Sequence, residues 1–476
     1  MGGREAADAL ASVALSGNGG GRSRGAIPRR SVASPPASLI QQRVWRFHHL
    51  APDNPAYNIA GAVRLEGPLD VASLARAVHE VSLRHESLRT TFALRDGELI
   101  QVVIEEPTQM EQLDLTTLPR AEGYDEGLAL VDQKSRQAFD LVQGPLFRMS
   151  LMTLDEEDHL LFFGMHHIIS DGWSVGVLQR DLRELYRAHS TGTVPKLPRL
   201  EIQYADFAVW QSDRLARGEL DDQLEFWLGE LEGAPRTLLS TDRPRPAIRT
   251  FAGSSLDLRL DPELGMRLKS LMHRLNVTPF AVLLSAFSAV LQAESGADDM
   301  VIGTPVAGRG HLDLEHLIGL FLNVIPLRLK LSQQSSFEKL VMTTRDSIMD
   351  AFMNQDVPFP EIADRLDPQP DDARPALFQV VFNMINTPGG RFELPGLRTS
   401  LVLPSQVSAK QDMTLYAIED AGSFAFELVY NSGLFVEERV AAVLEKFLRV
   451  LEEAARDATR PIGHILDAAS AQAPLG

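Results

Sequence analysis

The run GMHHIISDGWS, Gly164 to Ser174, concentrates the residue types that can do chemistry. Two adjacent histidines, His166 and His167, are followed by Asp171 and Gly172. On extended backbone, neighbouring side chains point to opposite sides, so one histidine can face a cavity while the other is held in the interior. A histidine is the natural base for a group that must lose a proton near neutral pH. A buried carboxylate at Asp171 would stay charged only beside a partner, and an arginine suits that role best.

Other chemistries find less support. His-x-x-x-Asp can supply two metal ligands, but no third ligand cluster stands out and HExxH is absent, so no metal is expected. The chain has no cysteine, which removes a thiolate nucleophile, a disulfide framework, an iron–sulfur cluster and cysteine-ligated zinc. The string G-x-S-x-G occurs twice, as GRSRG (Gly21 to Gly25) in the linker and as GWSVG (Gly172 to Gly176) running into the expected helix, and neither reads as a nucleophile elbow, whose serine sits on a tight turn directly after a strand. What remains is direct attack of one substrate on another, with a histidine managing the proton. The pair His48–His49 lies in an expected helix with no Asp-Gly after it and reads as structural, and His79, His189 and His273 read as surface or packing residues.

The histidine run needs a strand before it and a helix after it. Leu146–Leu154 and His159–Met165 are apolar runs separated by Asp155–Asp158, the pattern of an antiparallel hairpin. From Trp173 to His189, Val177, Leu178, Leu182 and Leu185 recur at helical spacing. Leu69–Arg89 reads as a helix and Leu99–Ile104 as a short strand. Asn276 or Thr278 is positioned to cap a long apolar helix with Pro279 in its first turn. That apolar stretch, Thr278 to Ala293, falls short of the roughly 18–20 residues that span a bilayer and reads as a buried helix.

The chain has 476 residues and a formal net charge of −18. Its length suits roughly two to four cored units. The acidic balance argues against nucleic-acid binding through global charge. The N-terminus lacks the unbroken apolar core of a secretory signal, and a cytoplasmic location away from the membrane is expected. Glycine, serine and proline make residues 1–37 a linker or docking segment, and the proline-containing stretch 234–250 reads as the boundary between lobes at 38–233 and 251–465. Residues 466–476 read as a second linker.

The motif HHIISDG resembles the HHxxxDG signature of the condensation domains of nonribosomal peptide synthetases. Further blocks follow in family order: SLIQQRVW (Ser38 to Trp45), RHESLRTTF (Arg84 to Phe92), YADFAVWQ (Tyr204 to Gln211), IGLFLNVIPLR (Ile318 to Arg328), NQDVPFPEI (Asn354 to Ile362) and RPALFQVVFNM (Arg374 to Met384). Together they cover about residues 38–465. Departures lie outside the histidine motif: Ile40 replaces the usual alanine, Asn354 replaces the usual histidine, Pro360 sits inside PFPE, and the last block lacks its serine before Arg374.

The resemblance implies a mixed α/β fold of two chloramphenicol-acetyltransferase-like lobes, arranged as a V-shaped pseudo-dimer around a central tunnel. It implies an acyltransferase in which an acceptor amine attacks a donor thioester and an amide forms. Donor and acceptor carrier proteins would deliver the substrates on phosphopantetheine arms, so the chain itself would bind no cofactor. Neighbouring adenylation or polyketide synthase modules would be further partners, and the excised domain is expected as a monomer. His167 would be the base or the group that positions the amine, with His166 supporting the loop. Asp171 would be structural, paired with Arg328 or, as second choice, Arg89, and the Gly172 backbone would border the thioester. Trp173, Ser174 and Asn383 would face the tunnel. The form HIISDGWS is most similar to domains that join an L-configured donor to an L-acceptor. The alternatives are a free-standing acyltransferase using a coenzyme A thioester with an alcohol or amine, and a catalytically silent docking module.

Overall fold

The structure, a computed structural model, describes residues 25–236, 239–367, 373–385, 392–405, 407–420 and 422–471. Among them the strands, numbered in chain order, are β1 (Asn58–Glu66), β2 (Thr90–Arg95), β3 (Glu98–Val103), β4 (Glu111–Asp114), β5 (Phe147–Asp155), β6 (Asp158–His166), β7 (Gly253–Arg259), β8 (Asp299–Val306), β9 (Asn323–Lys330), β10 (Val380–Ile385), β11 (Arg398–Val402), β12 (Met413–Asp420) and β13 (Ser423–Asn431). A five-stranded sheet has the order β11-β1-β6-β5-β4, and a six-stranded sheet has the order β7-β13-β12-β10-β8-β9. The pair β2–β3 forms a separate hairpin.

The expected hairpin is β5–β6, antiparallel with Leu151 opposite Leu161. Every residue of β6 is buried, as expected of a strand hydrogen-bonded on both edges and covered on both faces. The helix expected over Leu69–Arg89 forms over Val71–Arg84, capped by Asp70, and gives way to a 3-10 turn over Glu86–Arg89. The break falls at His85, whose ring is buried with Nε2 2.9 Å from Asp181 Oδ2. Thr278 caps the helix Pro279–Ser295, while Asn276 ends the preceding helix Pro262–Leu275 in the left-handed region at φ 52°. Residues Phe280 to Gln292 of the capped helix are buried. Among the described residues no single helix is long and apolar enough to cross a membrane.

The packing redraws the lobe boundaries. Ile27 and Ala37 are buried, and Arg30 pairs with Glu86 at 2.7 Å and Asp206 at 2.8 Å, so residues 27–37 belong to the first lobe's surface rather than to a free tether. Residues 1–24 lie outside the described residues. In the helix Asp221–Glu230, Leu224 and Trp227 join the core of the second lobe, and Trp227 Nε1 donates to the Asn354 carbonyl at 2.7 Å. In the other direction, Leu314 to Phe321 pack into the first lobe's core. Strand β11 also crosses over: Arg398 pairs with Glu66 and Val402 with Ala62, so the second half of the chain supplies the edge of the first lobe's sheet. The described part of 234–250 contains no helix or strand. The expected C-terminal linker begins as the last two turns of a helix, Ile462–Ala471, with Leu466 and Ala469 buried; residues 472–476 lie outside the described residues.

Candidate active site

The histidine loop leaves the end of β6 and enters a helix over Gly172–Thr191, with a 3-10 turn over His167–Ile169 between them. Its shape is set by short-range hydrogen bonds. Ile168 N–H donates to His166 Nδ1 at 3.1 Å, so the remaining proton of neutral His166 sits on Nε2. His167 Nδ1 lies 2.8 Å from the Ser170 carbonyl, which can only accept. Nδ1 therefore carries the proton and Nε2 keeps its lone pair. The loop is also tied from outside. Ser38 and Gln41 form a capping box at the start of the helix Leu39–Leu50, and the same Gln41 side chain donates to the Ile168 carbonyl at 3.0 Å.

The two histidines occupy different surroundings. His166 is buried, its ring 5.6 Å from that of His48 and 6.0 Å from that of Phe139. His167 lines a cavity of about 230 Å3 between the lobes. Gly172 lines it beside His167, and Pro305, Val381, Asn383 and Tyr416 line it from the second lobe. The cavity meets a groove of about 560 Å3 at Pro55 and Ser408, along the start of β7. Burial pulls His167 down to about 4, helped by the Lys410 ammonium and opposed by the Asp171 carboxylate. Burial holds His166 well below the ordinary histidine range, with lesser contributions from the neighbouring histidines and Lys410. Both rings are neutral at pH 7, and His167 keeps its lone pair on Nε2.

Asp171 caps the helix that follows. Its Oδ1 accepts from Ser174 N–H at 2.8 Å and lies 2.7 Å from Ser174 Oγ. The expected arginine partner is present, but it is Arg309 rather than Arg328 or Arg89. Arg309 Nη2 lies 3.1 Å from Asp171 Oδ1 with both side chains 1% exposed, and Phe321 N–H donates to Oδ2 at 3.0 Å. Arg309 Nη1 also donates to the Leu314 and Leu317 carbonyls, and its guanidinium stacks 4.1 Å from the Phe321 ring centroid. The carboxylate thus fastens the first lobe's helix to a segment from the second half of the chain.

Arg328 instead grips Asp299 with Nη2 at 2.7 Å and Nε at 3.0 Å, and donates to the Glu230 and Glu232 carbonyls. It lies on β9, the edge strand of the six-stranded sheet, where the diagonal neighbour on β8 is Asp299. Arg89 donates to the Ser82, Leu83 and Ile104 carbonyls, the first two at the end of the helix Val71–Arg84, where a cation complements the helix dipole. Trp173 and Ser174 do not line the cavity either. Trp173 Nε1 donates to the Glu315 carbonyl at 2.9 Å, and Ser174 is fully buried, its Oγ accepting from Gly319 N–H at 3.0 Å. Of the residues expected at the tunnel, Asn383 lines the cavity and Trp173 and Ser174 do not.

Arg309 was missed because it stands between two glycines in VAGRGHLD, a run with no apolar pattern to signal burial. The glycine before it is required: Gly308 has φ +63°, and a Cβ there would meet the Phe321 carbonyl oxygen at 1.9 Å. Lys410, Tyr57 and Tyr416 were missed as well, since nothing near them in the sequence marks a site. Among the described residues, no group of three or more His, Asp or Glu side chains is placed to hold a metal ion.

The condensation-domain family model matches residues 33–473. The chain is 39% identical over 434 residues to a linear gramicidin synthase protein of Brevibacillus parabrevis, covering 90% of this chain but only 8% of that protein. It therefore spans a small part of the curated relatives it matches. Among solved structures it is similar to the X-domain from teicoplanin biosynthesis, at TM-score 0.83 and 29% identity, covering 92% of this chain and 98% of that one. It also shares its fold with part of holo-AB3403, a four-domain nonribosomal peptide synthetase, at TM-score 0.81 and 23% identity, covering 93% of this chain and 34% of that one. The two-lobed α/β architecture is the chloramphenicol-acetyltransferase-like pseudo-dimer of those proteins. With the family model matched over nearly its whole length and an ordered HHxxxDG loop at the seam of two lobes, this chain belongs to the condensation-domain family, the amide-forming acyltransferases of nonribosomal peptide synthetases.

Proposed function

We propose that the chain joins two carrier-bound substrates, by attack of an acceptor's amine on a donor's acyl or peptidyl thioester. The observation that carries this reading is His167, a neutral imidazole whose Nδ1 proton is committed to the Ser170 carbonyl and which lines the cavity between the lobes. In the reaction the amine nitrogen bonds to the thioester carbonyl carbon and the C–S bond breaks. The amine proton passes to His167 Nε2, and the departing thiolate on the donor arm is protonated in turn. The substrates arrive on phosphopantetheine arms of donor and acceptor carrier proteins, supplied by adenylation or polyketide synthase modules of a larger cytoplasmic assembly. The sequence HIISDGWS supports an elongating role with an L-configured donor and an L-acceptor.

The test is reconstitution with loaded donor and acceptor carrier proteins, read by intact mass. Transfer of the donor acyl group onto the acceptor supports the proposal, and its absence across a panel of donors and acceptors overturns it. The likeness to the X-domain, which has also been solved in complex with OxyB, raises docking as a second reading. A docking module places no demand on a histidine's tautomer or on a cavity beside it, and both are arranged here.

A further inference from the structure

An acidic chain carries, beside its active cavity, two arginines that no carboxylate neutralises. Arg43 lies on the helix Leu39–Leu50, its guanidinium 5.2 Å from the Phe47 ring centroid and 4.8 Å from that of Phe359. Arg249, from the inter-lobe segment, lies 5.5 Å from the same Phe47 ring and 5.1 Å from that of Phe251. Among the described residues neither guanidinium has an ion pair or a hydrogen bond. The nearby carboxylates are spoken for or distant: Asp412 is gripped by Arg245, with one contact at 3.0 Å, and Asp364 is exposed and pairs with neither. Burial lowers both guanidiniums, Arg43 to about 10, and Arg249 and Arg46 add like charge around Arg43.

Cation–π contacts offset part of the cost of burying such groups but give their N–H donors no protein partner. Both arginines are half-buried rather than sealed, so a ligand can reach them. Their place relative to the reaction is set by a chain of rings. Phe47 lies 6.4 Å from Tyr57, and Tyr57 lies 6.4 Å from His167.

We propose that Arg43 and Arg249 form an anion-binding site between the lobes that holds the phosphate ester of the phosphopantetheine arm presenting a thioester to His167. A single guanidinium fork fills the two oxygens of a carboxylate, whereas a phosphate has oxygens enough for two forks at once. A position two rings from His167 suits a long ligand with its charge at one end and its thioester at the other. This inference rests on the thioester reading above and gives its arm a place to anchor.

The test is calorimetric titration of the full chain with 4′-phosphopantetheine, with pantetheine lacking the phosphate, and with inorganic phosphate. The phosphorylated arm should bind about tenfold tighter than pantetheine, as expected for charge-assisted hydrogen bonds, and tighter than inorganic phosphate. Arg249→Gln should cut the preference over pantetheine to about twofold or less, by removing one fork. Arg249→Lys keeps the charge but not the fork, and stands in if the glutamine variant loses its cooperative melt; it should restore only part of the preference. Equal binding of pantetheine and the phosphorylated arm overturns the proposal, as does inorganic phosphate binding as tightly as the arm, or full preference in a folded variant. Binding is read without amide formation. An inactive protein that keeps the phosphate preference would therefore condemn the reaction alone, and an active one without it would condemn the site alone.

Discussion

At the residue scale, the proposed chemistry turns on one nitrogen. The Ser170 carbonyl holds the proton of His167 on Nδ1, and burial with Lys410 nearby keeps the ring neutral. His167→Ala should leave the fold intact and lower the rate of amide formation by about 10²–10⁴-fold, the usual contribution of a positioned general base. Single-turnover transfer between loaded carriers measures it, and a rate like that of the unaltered chain would remove His167 from the mechanism. The pH dependence has a definite sign. Folded His167 titrates at about 4 and the unfolded ring near 6.5, so between those values the unfolded chain binds the extra proton. The stability contributed by the neutral ring is complete above about pH 6.5 and is lost as pH falls toward 4. His166 is lowered too and acts in the same direction. The urea midpoint should therefore fall as pH is lowered from neutral into that window. The His167 Cε1–H resonance should still report a neutral ring at about pH 5.5, between the two values. Lys410→Met should move the His167 titration upward by removing a like charge; a downward shift would contradict the arrangement.

At the element scale, Asp171 does two jobs. It caps the helix Gly172–Thr191 and it neutralises Arg309. Asp171→Ala leaves that buried guanidinium unpaired and should cost about 3–5 kcal/mol, measured by urea unfolding. Arg328→Ala should cost less and leave the His167 titration where it was, because Arg328 serves the edge of the six-stranded sheet. Gly308→Ala should destabilise as well. It places a side chain at φ +63° against the Phe321 carbonyl, the backbone that brings Arg309 to Asp171. An unchanged melting temperature in either Asp171→Ala or Gly308→Ala would mean that this junction does not hold the lobes in register.

At the scale of the whole molecule, the lobes exchange pieces. The helix Asp221–Glu230 packs in the second core, Leu314 to Phe321 pack in the first, and β11 completes the first sheet. A chain cut after residue 250 should yield two fragments that melt without cooperativity when alone and regain a sharp transition when mixed. Circular dichroism of each fragment and of the mixture checks this, and two independently cooperative halves would contradict it. The exchange bears on the active cavity, since β10 and β12 of the second lobe bring Asn383 and Tyr416 opposite His167. The cavity exists only while both lobes are joined.

The elements around the site were legible because their causes are local. The apolar runs flanking Asp155–Asp158 could only pair as a hairpin, Thr278 and Pro279 open a helix by capping, and HHIISDG sets its own loop through hydrogen bonds spanning a few residues. The need of Asp171 for an arginine could be read as well, since a buried charge requires a counter-charge. Which arginine answers was not legible. Arg328 and Arg89 sit in apolar blocks that suggest burial, yet an edge strand and a helix end claim them. Arg309 lies 138 residues from Asp171 and is brought there by a glycine-bounded turn. The sequence by itself determined the β5–β6 hairpin, the short strand β3, the start of the long apolar helix, the histidine loop and the family. Tertiary structure alone decided the ion-pair partner, the side chains that wall the cavity and the true seams between lobes, because contacts between distant segments leave no periodicity along the chain.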